Sequence, residues 1–480
     1  MARLTARRRA SVAVALVVAL GALSVGAWAL GEWKPFAHPS AEPSWPANIA
    51  PLARYVEDTT RVRFSAHVNV EFIADAQRFL DRVTNDDGPS AAALANSATD
   101  EGVGRALGFW SGEPHLADSA HLLRISGDTG VEWLPEEHVV VVRAKNEKAE
   151  LSPIDRADLV MVLTEIADDQ RYQLNERMDR APTPQDFQVL AGLAIGEALW
   201  VLDRYTSRFD NDEAEAYRAD RSSRGKEFND AVTSVNLTFR SLRVASQTVG
   251  TAFVAALHRS SDGRAMQHAF TSAVPAAIDQ MTMPVHKYAQ RDPLEHVEPP
   301  AVPTGGEYLY TRQMGPFGVH LLLAGGVPPM DALEAADGWG NDSFIAYQLE
   351  GRVCTDARIV ADDKAAADRI EHGLKAWAAA RPAASQALVG RKDTTLLLSV
   401  CDPGAKAAQP TLDAAASDQF LDRADLLRDR VSATGQPALS ECIAVRFYRD
   451  HAAADLRGAN PDVNPFEAID TIGYDCVSSV

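Results

Sequence analysis

Met161 and Glu165 stand four residues apart in a stretch that reads as a helix, so a thioether and a carboxylate share one helical face. A metal ion docked there would meet one soft ligand and one hard one. Thioethers suit Cu(I) and serve zinc poorly. The stretch is Pro153 to Leu174, PIDRADLVMVLTEIADDQRYQL. Ser152-Pro153-Ile154-Asp155 opens it with a serine cap, a proline at the first position and a carboxylate three residues on. Leu159, Val160, Met161, Val162, Leu163 and Ile166 make the helix mostly buried, and Met161 and Val162 read as core side chains filling gaps. Glu165 is then an acid in apolar company. It is expected to pair with an arginine or reach solvent, because an unpaired buried carboxylate is costly. A second helix begins at Thr183-Pro184-Gln185-Asp186 with the same cap-and-proline signature, and it carries Ile195 and Glu197 in FQVLAGLAIGEALWVLDRY.

These helices resemble the active-site elements of a family of secreted bacterial neutral zinc metallopeptidases. The family's first segment reads roughly TP-x-x-R-x-T-L-x-HELTHALQDQHFDL. Laid over it without a gap, Pro153, Arg156, Leu159, Leu163, Thr164, Asp169, Gln170 and Leu174 coincide, with Tyr172 at the family's Phe. An HExxH helix works because histidines at i and i+4 converge on one zinc beside a glutamate base. The resemblance places Met161 at the first histidine, Val162 at the base and Glu165 at the second histidine. Ile195-Gly196-Glu197-Ala198 resembles the family's EGDA element, with Ile195 at the third zinc ligand and Glu197 two residues along, pointing off the ligand face. A catalytic zinc site needs about three protein ligands plus water. The resemblance therefore implies a peptidase scaffold with a degenerate former site at Met161, Val162, Glu165 and Ile195, no catalytic residues, no metal and no cofactor. It extends to Pro275, Gln280, Pro284, Lys287 and Tyr288, with Met283 where the family has His, and to GWGNDSFIAYQLEGRVCTDARIVADD near the C-terminus.

The elements around this pair suggest an α+β chain. VRFSAHVNVEF alternates as a strand from Val62 to Phe72, a helix follows through IADAQRFLDRV, and Glu136 to Arg143 reads as a strand before the Ser152 helix. In zinc peptidases of this type a strand in that position lines the substrate cleft. The Pro-rich stretch from Asp292 to Glu307 is the best domain boundary. Beyond it, strands (SFIAYQL, RVCTDARIV, TTLLLSVC) alternate with helices. The expected architecture is a helix-rich zincin-like domain over 51–295 with a small N-terminal sheet, then a smaller α/β-type domain over 308–480 holding the cysteines.

Arg7-Arg8-Arg9 precede an uncharged run from Ala10 to Leu30, long enough to span a bilayer as a helix. The expected order is a cytoplasmic basic tail (1–9), a single transmembrane anchor (10–30) and a Pro-rich tether (31–50), with the body outside. The alternative is a secreted protein, cleaved after Ala27-Trp28-Ala29. A net charge of −19 argues against a nucleic-acid surface. The 4 cysteines suit disulfides outside the cytoplasm. Three pairings are open, and Cys354 with Cys401 and Cys442 with Cys476 close the shortest loops.

Other signals carry less. Ser111 in GFWSGEP lacks the flanking glycines of a nucleophile elbow. Asp210-Asn211-Asp212 lacks the rest of an EF-hand and reads as a solvated loop between helices. His115, His121, His258 and His268 show no ligand spacing. Two functions stay open. One is a membrane-anchored, extracytoplasmic pseudo-metallopeptidase that binds or scaffolds an envelope protein or peptide through an edge strand. The other is an active hydrolase using Glu165 and Glu197 with a histidine from elsewhere.

Overall fold

The computed structural model of the chain describes residues 45–84, 91–127, 130–260 and 264–478. The expected basic tail, the anchor and most of the tether, residues 1–44, lie outside the described residues. Among the described residues no helix is long and apolar enough to cross a membrane. The described chain is α+β, mostly helical, with two small sheets.

The first sheet has three strands, β1 (Asn69–Phe72), β2 (Val131–Leu134) and β3 (Val139–Val142), in the order β1-β3-β2. β1 runs parallel to β3 and β2 antiparallel to it. The strand expected from Val62 begins only at Asn69. Val62, Phe64 and Val68 are buried as the alternation requires, but the backbone around them pairs with a side chain. Gln170 accepts from Ser65 N (2.8 Å) and Ala66 N (3.1 Å) and donates to Ala66 O (3.2 Å). β3, the strand expected to face a cleft, is central and hydrogen-bonded on both sides. Among the described residues, β1 and β2 are the outer strands of this sheet.

The second sheet comprises β4 (Glu307–Arg312), β5 (Trp339–Leu349), β6 (Arg352–Ala361), β7 (Leu388–Lys392) and β8 (Thr395–Cys401), ordered β4-β5-β6-β8-β7. Every pairing is antiparallel, which corrects the α/β-type expectation. The cause is local. Glu350 (φ 52°) and Gly351 (φ 77°) form a two-residue turn whose twist returns the chain along its neighbour. Asp393 (φ 57°) helps do the same between β7 and β8.

The helix caps are as the sequence suggests. Ser152 Oγ accepts from Asp155 N at the head of the Pro153–Tyr172 helix. Thr183 and Asp186 form a reciprocal capping box on the Pro184–Thr206 helix. One apolar core lies between the Pro153–Tyr172 helix, the first sheet and the Ala50–Thr60 helix, and it includes Val56, Val140, Leu159 and Leu163. A larger core joins Leu193, Phe253 and Met281 to Trp339, Phe420 and Phe447. It continues across the irregular 292–306 stretch, so the parts on either side share one interior.

Where the Pro184–Thr206 and Leu237–Ser260 helices cross, their backbones touch. A Cβ on Gly250 would lie 2.0 Å from Gly192 O, and one on Gly196 would lie 2.6 Å from Gly250 O. Two polar knots fix the larger core. Lys287 Nζ donates to Asp279 (3.0 Å), which is buried with it, and to Asp362 (3.2 Å), which lies at the surface. Asp342, fully buried, accepts from Met314 N, Gly315 N and Trp339 Nε1 at 2.7, 2.8 and 2.9 Å, capping the Gly315–Ala324 helix. Cys354–Cys401 staples β6 to β8, and Cys442–Cys476 ties the Pro437–Asp450 helix to the Pro465–Val477 helix.

Candidate functional site

The helix pair brings Met161 and Ile195 together, but as hydrocarbon. Both are buried in one cluster with Ala157, Ala198, Leu199 and Leu202, and Tyr217 packs over it. Val162 points the other way, into the core under the first sheet. Met161 and Ile195, which the resemblance would set at the first-histidine and third-ligand positions, thus form a plug, and Val162, which it would set at the base position, is a wall of a different core.

Glu165 is half-buried, with Oε1 wholly enclosed. Among the described residues no hydrogen bond reaches Oε1 and no arginine pairs with Glu165. Burial, reinforced by Glu132 on β2, pushes its carboxyl up to about 8, so it is largely protonated at neutral pH. Of the two expected outcomes, no arginine meets Glu165 among the described residues, while the residue is partly exposed.

Asp168, one turn further on, is 1 % exposed, and its Oδ2 has no hydrogen-bond partner among the described residues. Burial holds its carboxyl well above the ordinary range, and Glu197, Glu165 and Asp169 add to the effect. Glu197 is 3 % exposed and faces His258 on the Leu237–Ser260 helix, with Oε2 2.7 Å from Nε2. The His258 ring stacks on Trp200 with centroids 3.5 Å apart, and the Arg204 guanidinium lies 4.8 Å from the Trp200 centroid. The close helix crossing at Gly192, Gly196 and Gly250 sets the glutamate and the histidine at this range. Tyr172 feels the same negative field. Burial first, then Asp168, pushes its hydroxyl up to about 12.

The arrangement can hold protons on closely placed acids in a dry setting. Among the described residues no group of three His, Cys, Asp or Glu side chains is placed to hold a metal ion. Asp168 is the member that sequence reasoning missed, and His258 was set aside there for want of ligand spacing. Asp168 was reachable, since it lies three residues beyond Glu165 and seven beyond Met161, on the same helical face. His258 was not, because its partner is 61 residues away on another helix.

The remaining candidates have ordinary places. Ser111 sits in a loop. Asp210 caps the Asn211–Ala231 helix through a reciprocal box with Glu213, so the Asp210-Asn211-Asp212 segment is a helix start rather than a solvated loop. His121 meets Arg124. Gln170 and Asp169, two residues that match the peptidase segment, bind backbone: Gln170 the chain at Ser65 and Ala66, Asp169 the amide of Asn175.

No protein-family model, no curated protein and no solved structure matches the chain.

Proposed function

We propose that the chain is a membrane-anchored, extracytoplasmic pseudo-metallopeptidase that serves as a binding or scaffolding protein at the cell envelope. The observation that carries this reading is the burial of Met161 and Ile195 in one apolar cluster, at two of the three positions that the resemblance gives to zinc ligands. A thioether packed on a branched alkane offers zinc no tetrahedral set. The two disulfides support an oxidising compartment and so a body outside the cytoplasm. The binding mode expected of it is addition of an extended peptide strand at an edge of the first sheet.

The competing reading, a hydrolase with unorthodox ligands, draws on the Glu197–His258 contact beside Asp168. Elemental analysis of the native protein separates the two. The scaffold reading expects no stoichiometric zinc, and about one chelation-resistant zinc per chain would refute it. A variant carrying Met161→His, Val162→Glu, Glu165→His and Ile195→Glu together is expected to bind zinc, whereas each single change is not. Tight binding by any single variant would reveal ligands already in place. N-terminal sequencing of the native protein tests the anchor, and a start at Leu30 would end that part of the proposal.

A further inference from the structure

We propose that Arg177 and the apolar walls beside it form a binding site for an aliphatic carboxylate, carried by a small acid or by the free C-terminus of a peptide. A cavity of about 460 Å³ opens where the Leu174–Asp179 helix, the first turns of the Pro184–Thr206 helix and the 274–275 segment meet. Its size falls among small-ligand pockets. Val189 and Leu190 line one side, Val274 and Pro275 another.

Arg177 stands at this cavity with its charge uncancelled. Its Nη1 donates to Phe270 O at 2.7 Å and more loosely to Tyr172 O at 3.4 Å. The Tyr172 and Phe270 rings stack at 4.5 Å and hold those two carbonyls in place. Carbonyl oxygens orient the guanidinium without neutralising it. Nε and Nη2 have no protein partner among the described residues, and no carboxylate there pairs with Arg177. Partial burial lowers its proton affinity, as expected of a desolvated cation that lacks a counter-charge.

The acids in the wall are already engaged. Glu176 pairs with Arg180 at 2.6 Å. Asp186 accepts from Thr183 N and Oγ1 at 3.1 and 2.7 Å in the helix cap. What is missing is a carboxylate that reaches Nε and Nη2 side by side, on a short hydrocarbon body that lies against Val274, the apolar wall residue that is not buried. Such a fork contact is charge-assisted and geometrically selective. This site is separate from the Met161–Ile195 plug, so it stands or falls independently of the scaffold reading.

The test is calorimetric titration of the full-length chain with hexanoate and with acetyl-Ala-Ala-Leu as the free acid, each beside its amide. The free acids are expected to bind at least about tenfold more tightly than the amides, the value of one hydrogen-bonded charge pair. Hexanoate matching the peptide would identify a small acid as the source of the carboxylate, and a clear preference for the peptide would identify a C-terminus. Arg177→Gln should abolish the acid-over-amide preference. Because Arg177 also holds Phe270 O, Val274→Glu provides a second variant that leaves Arg177 in place and offers it an internal carboxylate. It too should abolish the preference while the protein melts as a folded chain. The proposal is overturned if acids and amides bind alike, if none of the four ligands binds below about 1 mM, or if folded Arg177→Gln or Val274→Glu protein keeps the preference.

Discussion

Replacing Glu165 by Gln should change how stability depends on pH, in a direction that follows from where its carboxyl sits. In the unfolded chain this group titrates near 4.5, and in the folded protein burial and Glu132 raise it to about 8. Between those values the folded state keeps a proton that the unfolded state has released. Rising pH therefore draws the equilibrium toward unfolding through this window, by about 1.4 kcal/mol per pH unit. The contribution is fully present below the unfolded value and is lost as pH rises through the folded one. Complete burial would make the loss about 4 kcal/mol over three pH units, and the partial exposure of Glu165 reduces the expectation to about 2–4 kcal/mol. Glutamine has the same shape and no proton to lose, so the variant lacks this slope. Its buried amide adds a cost of about 1–3 kcal/mol that does not vary with pH. Urea unfolding of both full-length proteins from about pH 5 to pH 8 gives the two slopes. The stability of the variant relative to the parent should climb steadily with pH. Parallel pH profiles would refute the argument that Glu165 is protonated in the native state.

Gly250→Ala should cost about 3 kcal/mol, because its Cβ would overlap the Gly192 backbone. Gly473→Ala, whose Cβ meets nothing closer than 3.6 Å, should instead gain about 0.5–1 kcal/mol, and thermal melting compares the two. Lys287→Met should lose about 3–5 kcal/mol by leaving Asp279 buried without its cation, and adding Asp279→Asn should recover much of that in urea melts. Non-reducing peptide mapping should find only Cys354–Cys401 and Cys442–Cys476, and Cys442→Ala with Cys476→Ala should lower stability by about 3–4 kcal/mol.

What was legible in the sequence was local. Ser152 and Thr183 announced their helices because a cap, a proline and an acid act within four residues. The disulfide pairs followed the shortest loops. β6 and β8 were readable as strands, yet the chain reaches β8 from β6 through β7, whose sequence LVGRK carries little apolar alternation. The Glu350-Gly351 pair between two apolar runs was a hairpin signal that went unused. The central place of β3 depends on β1, some seventy residues earlier, and pairing at that distance leaves no periodic trace. At the site, Met161, Val162 and Ile195 were readable as apolar from residue type alone. The proton on Glu165 and the Glu197–His258 contact belong to packing between helices, which single-segment patterns do not encode.

The shared interior constrains how the protein comes into being. Chains are made from the N-terminus, and early segments usually fold as they appear. Here Leu193 and Phe253 wait for Phe420 and Phe447, which are synthesised more than 160 residues later. Until then the Pro184–Thr206 and Leu237–Ser260 helices present bare apolar flanks. The same dependence makes a nascent chain halted near residue 295 a sticky half-molecule rather than a working fragment. Completion of the C-terminal helices is therefore the event that commits the whole chain to its native state.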